Sequence, residues 1–120
     1  MIMEMQSESK AIRSRTMAFY KTNYTKWVRI RFADIMYIDT VTKLAARIVF
    51  KDDKIVHSNE TLTKISMVLP ARFERIHRSC LVNIDYVEYV DYRKKRIVLK
   101  NKEQLKMGLA YMSNLEKYFI

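Results

Sequence analysis

The amino-acid sequence predicts a mainly β fold with short helices in a single domain, and three observations carry that prediction. Apolar residues recur at every second position in short runs separated by polar breaks, the pattern of half-buried strands. Only two stretches show the three-and-four spacing of an amphipathic helix. At 120 residues the chain is long enough to bury one core but not to hold a second domain of typical size.

Residues 1–16, MIMEMQSESKAIRSRT, mix Ser, Gln and charge without an apolar period and read as a flexible lead-in or linker end. The folded domain is therefore expected over residues 17–120. In WVRIRF, Val28, Ile30 and Phe32 fall on one face and Trp27, Arg29 and Arg31 on the other, which is strand spacing with a basic outer face. Strands follow over Ile35–Thr40, Leu44–Phe50 and Lys54–His57, the last two joined as a hairpin by Lys51, Asp52 and Asp53. With a single Gly in the chain, tight turns must rely on Asn, Asp and Lys. Thr61–Leu69 carries Leu62, Ile65 and Leu69 at helical spacing, with Ser58 or Asn59 as cap and Pro70 as stop. Ile76–Asn83 returns to extended structure. Val87–Val90 and Arg96–Leu99 form a hairpin about the polar turn Asp91–Lys95, and Leu109–Phe119 closes the chain as a helix with Met112, Leu115 and Phe119 on one side.

Charge narrows the function. Lys and Arg number 23 against 13 Asp and Glu, a formal net charge of +10, and such an excess on a small protein recruits phosphate backbones and speeds association with them. A basic surface also suits an anionic membrane. However, no apolar run approaches the roughly 20 residues of a spanning helix, and the N-terminus lacks the apolar core of a signal peptide, so a cytoplasmic protein without a membrane partner is expected. Cys80 is the only cysteine, which excludes an internal disulfide. His77 and Cys80 have H-x-x-C spacing, yet only His57 remains as a further His. No zinc site and no cofactor are expected, and Cys80 reads as a small core residue. Neither a Gly-rich phosphate loop nor a nucleophile elbow nor paired carboxylates are visible, so the chain does not read as an enzyme.

The densest signal is FERIHRSCLVNI, Phe73 to Ile84, which sets Arg75, His77, Arg78 and Ser79 beside a short apolar strand. Arg offers a planar fork to phosphate or to a guanine edge, and Ser a hydroxyl to phosphate, so the segment suits a nucleic-acid surface. An exposed loop with ordinary solvated charges is the plainer alternative.

The chain resembles the LytTR DNA-binding domain, the output module of many bacterial response regulators, over about Phe19 to Ile120. The likeness rests on ADIMYID at 33–39, matching the family's DI-x-YIE element, on the helix ending at Pro70, and on FERIHRSCLVNI, matching F-x-R-x-H-R/K-S-x-x-V-N. It implies an elongated arrangement of small β-sheets whose loops enter successive major grooves of double-stranded DNA. By that resemblance Arg78 falls where members place a base-contacting side chain, and Arg can engage O6 and N7 of guanine together. Ser79 and His77 would bond phosphate or brace the loop, and Arg75 would do either. A second contact region precedes Leu44–Phe50, with Thr42 and Lys43 as polar candidates. The third precedes the final helix, where many members carry Ser followed by Arg. Here MGLAYM stands instead, with Gly108, Leu109 and Ala110 at those places, so either Tyr111 or Lys106 substitutes or specificity rests less on that groove. The resemblance also implies a receiver or other sensory domain beyond this chain, and pairing on DNA over repeated half-sites.

Arg93, Lys94, Lys95, Arg96, Lys100, Lys102 and Lys106 are opposed only by Glu103. Such a run reads either as a solvated face or, on the family fold, as a phosphate clamp beside the HRS segment through Lys95 and Lys102. Eight Tyr, five Phe and one Trp allow a rival reading, a stacking platform for single-stranded RNA or DNA. Strand alternation assigns most of these rings to the core, with Trp27, Tyr89 and Tyr92 as exceptions. A protein-interaction module with incidental charge is the third class.

Overall fold

Period-two alternation builds the layers of the molecule, as a computed structural model describing residues 16–21, 26–42 and 45–120 shows. The lead-in expected over residues 1–16 lies, but for Thr16, outside the described residues. Strand β1, Met17–Lys21, pairs antiparallel with β2, Trp27–Arg31. Ile30 and Phe32 are buried and Trp27, Arg29 and Arg31 exposed, the two faces that WVRIRF predicts. A 3-10 turn over Phe32–Asp34 leads to β3, Ile35–Thr42, then β4, Ala45–Phe50, and β5, Ile55–Ser58. Between β4 and β5 the turn at Lys51–Asp53 puts Asp53 at φ 69°.

Helix α1, Leu62–Ser66, is shorter than the expected Thr61–Leu69, and its cap is Thr61 rather than Ser58 or Asn59. The Thr61 hydroxyl accepts from the Lys64 N–H at 3.2 Å. Ser58 is instead buried in β5, where its hydroxyl accepts from the Glu60 N–H. A second difference falls on Ile76–Asn83. That stretch is not one strand but the end of β6, Phe73–His77, a turn at Arg78 and Ser79, and β7, Cys80–Asn83.

These strands form a five-stranded antiparallel sheet in the order β5-β4-β3-β7-β6. The β1–β2 hairpin and α1 cover one face, over Ile30, Phe32, Ile35, Ile38, Ile48, Leu62, Ile65 and Leu81. On the other face, Met36, Tyr37, Val49, Ile76, Cys80 and Val82 pack against Ile97, Leu99, Met107 and Leu115. Those last residues come from a three-stranded sheet, ordered β10-β9-β8, and from the chain's end. Its strands are β8, Val87–Asp91, β9, Arg96–Leu99, and β10, Gln104–Lys106.

The closing segment Leu109–Tyr118 winds as a 3-10 helix against β6. Leu115 is buried as the spacing predicts, whereas Phe119 lies half-exposed, edge-on to Tyr92 at 5.5 Å between ring centroids. The buried carboxylate of Glu74 in β6 anchors this helix, accepting from the Tyr118 hydroxyl at 2.6 Å and pairing with Lys117 at 2.8 Å. Buried charge is tolerated only when paired in this way. Asn83, fully buried, donates to the Ile35 carbonyl and caps the 3-10 turn Ile84–Tyr86 by accepting from the Asp85 N–H.

Candidate nucleic-acid interface

The β6–β7 turn is built around its two arginines. His77 pairs across the hairpin with Cys80, which leaves Arg78 and Ser79 as the two residues at the tip. A register shift between Arg75 and His77 breaks the alternation of β6, so the Arg75 side chain can reach along the turn. Its guanidinium donates from Nε to the His77 carbonyl at 3.0 Å and from Nη2 to the Arg78 carbonyl. The Arg75 carbonyl in turn accepts from Asn114 Nδ2 at 2.9 Å, and its guanidinium lies 6.0 Å from the centre of the Tyr111 ring. Arg75 therefore braces the turn from within.

His77 braces it from the other side. Its Nδ1 accepts the Ser79 backbone N–H at 3.2 Å and lies 2.9 Å from the Ser79 hydroxyl. Accepting a backbone N–H requires an unprotonated Nδ1, so the neutral ring carries its hydrogen on Nε2. Burial, followed by the charges of Lys106, Arg78 and Arg75, lowers the His77 pKa below its ordinary value. The Ser79 carbonyl accepts from the Thr40 N–H at 3.1 Å, which ties the tip to β3. Arg78, by contrast, is exposed, and its guanidinium has no hydrogen bond or ion pair among the described residues.

Arg75, Arg78 and Ser79 line one groove with Thr40, Thr42, Thr61 and Thr63. The structure thus brings Thr42 to the HRS turn, while Lys43 lies outside the described residues. The hydroxyl-lined wall from α1 has no motif in the sequence, since it forms only when the helix start folds over β3. On the opposite flank, the Lys95 carbonyl accepts from the Met107 N–H at 2.9 Å and the Ile76 carbonyl from the Gly108 N–H at 2.7 Å. Lys106 and Tyr111 thereby lie near His77, with the Lys95 carbonyl bonded to the residue between Lys106 and Gly108.

Gly108 sits closely against both rings there. A Cβ there would stand 3.2 Å from Tyr111 Cδ2 and 3.6 Å from His77 Cδ2. Lys102 sits at the other end of β9 from Lys95, and the strand's four residues hold the two turns apart by about 13 Å at the usual rise per residue. The basic run is thus split between two ends of the small sheet, only one of which adjoins the HRS turn.

Cys80 is a core residue, its thiol pushed up to about 12 chiefly by burial. Among the described residues no three His, Cys, Asp or Glu side chains come close enough to hold a metal ion. No helix among them is long and apolar enough to cross a membrane. The assignment of most aromatic rings to the core does not hold. Of those described, only Phe32, Tyr37, Phe50 and Phe73 are buried, while Phe19, Trp27, Tyr89, Tyr92, Tyr118 and Phe119 are exposed. Short strands in small sheets leave too little interior for more rings.

Comparison with known proteins agrees with this architecture. Accessory gene regulator protein A of Staphylococcus aureus strain N315 is 32% identical over 76 residues, which cover 63% of this chain and 32% of that protein. The protein of the same name from strain MW2 matches equally. The chain thus spans about a third of the length of these relatives. A solved LytTr DNA-binding domain of a putative methyl-accepting/DNA response regulator from Bacillus cereus shares the fold. Its TM-score is 0.70 at 20% identity, with 86% of this chain and 95% of that one covered. The family of LytTr DNA-binding domains matches residues 25–120, and to that family this chain belongs.

Proposed function

We propose that this chain is the DNA-reading domain of a bacterial transcriptional regulator and holds duplex DNA by loops placed in the major groove. The observation that carries the reading is Arg78, an exposed guanidinium without a partner among the described residues, at the tip of a turn that Arg75, His77 and Thr40 immobilise. An exposed Arg on a backbone held in place is suited to the bidentate contact with guanine, because the turn that presents it needs no rearrangement when it binds. Ser79, Lys95 and Lys106 flank the tip as phosphate contacts, Thr42 and Lys43 serve the loop after β3, and Lys102 engages the backbone farther along. Tyr111 supports Arg75. The domain acts in the cytoplasm as the output part of a two-component response regulator, with its receiver in another part of the protein, and pairs on repeated half-sites.

Fluorescence anisotropy on duplex and single-stranded oligomers of one sequence tests this. Duplex should be preferred, and affinity should fall roughly 10³-fold or more between 50 and 200 mM salt if about six phosphates are neutralised. A clear preference for single strands would instead favour a stacking platform, which the exposed Trp27 and Phe19 of the β1–β2 hairpin make the second reading.

A further inference from the structure

The outer face of the β1–β2 hairpin carries Trp27, Arg29 and Arg31 in line along β2, with Phe19 of β1 directly across from Arg29. Trp27 is 64% exposed and Phe19 49%, and neither guanidinium has a hydrogen bond or ion pair among the described residues. Arg29 and Arg31 form the wall shared by two grooves, one completed by Phe50, Lys51 and Lys54 and the other by Met17 and Arg72. Lys51 and Arg72 are already answered, by Asp34 at 3.3 Å and by Asp85 at 2.7 Å. Two free guanidiniums thus stand beside two exposed rings. The hairpin covers the opposite face of the large sheet from β9 and Met107. Arg31 leads into the Phe32–Asp34 turn at the start of β3, whereas the HRS turn is bonded to Thr40 near the end of that strand. From Asp34 to Thr40 the strand spans about 20 Å at the usual rise.

Arg, Trp and Phe are enriched at protein interfaces, and Arg and Trp among the side chains that anchor them. Alternate residues of a strand lie about 6.6 Å apart on one face, so Arg31, Arg29 and Trp27 present fork, fork and ring at the repeat of an extended peptide. A phosphate backbone suits this face less well, because it would run over the carboxylates of Asp34 and Asp52 in the same groove. We infer that this face is a second binding surface, separate from the reading turn, for an extended acidic segment of a partner protein. Carboxylates at two alternate positions of that segment meet Arg31 and Arg29, and an apolar side chain two residues on covers Trp27 and Phe19. Each guanidinium donates two parallel N–H bonds to its carboxylate, and the rings are removed from water. Because the surface faces away from the reading turn, partner and duplex DNA can be held at once.

Trp27 is the only tryptophan of the chain, so its fluorescence reports on this face. The probe is a synthetic peptide, Ser-Glu-Ser-Glu-Ser-Leu-Ser, and its control carries glutamine at both glutamate positions. At low salt the glutamate peptide should shift Trp27 emission to shorter wavelength, saturably, and the control should bind about tenfold more weakly, the combined worth of two exposed ion pairs. Arg29→Gln together with Arg31→Gln should lose the same factor. Arg29→Lys together with Arg31→Lys, which keeps the charge without the fork, should lose part of it. Arg78→Ala and saturating duplex should leave peptide binding unchanged.

Equal binding of the two peptides, or none by either, overturns the inference. Peptide binding that Arg78→Ala weakens or duplex displaces does so too, since the acidic peptide then sits on the reading turn. If the paired Gln variant instead lowers duplex affinity and its salt slope, the two arginines clamp phosphate. If it abolishes binding of a single strand, the hairpin is a stacking platform. Either result overturns the inference. Both side chains are exposed, so the variants should melt with wild type, and the comparison of the two peptides decides the matter on the unaltered protein.

Discussion

Arg75 and Arg78 stand three residues apart with the same charge, and their surroundings give them different work. Arg75 spends its donors on the carbonyls of His77 and Arg78, whereas Arg78 has none engaged among the described residues. Arg78→Ala should therefore cost about 1–3 kcal/mol on the best duplex, little on random DNA, and nothing in thermal stability. Arg75→Ala leaves two turn carbonyls without their donors, so both duplexes should be bound more weakly and the melting temperature should drop. Binding titrations paired with circular dichroism melts separate the two. Equal losses on specific and random duplex for Arg78→Ala would make it a phosphate clamp instead of a base reader. The motif and the resemblance single out Arg78 and leave His77, Ser79 and Arg75 open between phosphate and bracing; that Arg75 braces depends on the register shift in β6, which no sequence period shows.

At the scale of elements, the β6–β7 turn is held by a titratable acceptor. The lowered His77 pKa means that near and above the ordinary imidazole value of 6.5 the ring is neutral and its bond from Ser79 is complete. As pH falls from there, the unfolded chain takes up its proton first, so this contribution to stability is lost between 6.5 and the lower folded value. His77→Asn keeps an accepting oxygen that does not titrate. Between pH 7.5 and 5.5 its melting temperature should fall less than that of wild type, and parallel slopes would count against His77 as the sensitive brace. Several elements were readable from alternation alone, as β2 and the Lys51–Asp53 hairpin show. The sequence hid β10 because three residues with one apolar side chain, Leu105, carry no period. It hid the break at Arg78 and Ser79 because that turn uses neither Gly nor Asn. Turns made by Lys were foreseen from the scarcity of Gly, and Lys95 and Lys102 do adopt left-handed φ angles of 54° and 77°.

Across the whole molecule, two cores on opposite faces of one sheet absorb the large aliphatic side chains, and the exposed apolar residues are dispersed. Phe19 and Trp27 lie on the β1–β2 hairpin, Met67 follows α1, Leu109 opens the closing helix, and Tyr92 and Phe119 meet edge-on near the chain's end. No such scatter makes the broad apolar face that stable self-association needs, and a net charge of +10 opposes it. Sedimentation equilibrium without DNA should therefore find a monomer at micromolar concentration, and pairing should appear only when a duplex with two half-sites is added. A stable dimer in the absence of DNA would contradict this.

The clamp inside the β6–β7 turn grips peptide oxygens, groups that every amino acid carries. Neither bond from Arg75 depends on which side chain residue 78 bears, and that side chain extends away from its own scaffold. Position 78 can therefore be exchanged as an interchangeable tip on a standing mount, with the turn's shape preserved through the swap. On the proposed DNA-reading function, a lineage of such proteins, or an engineer, is thus free to vary the contact made at this one position without rebuilding the hairpin that presents it.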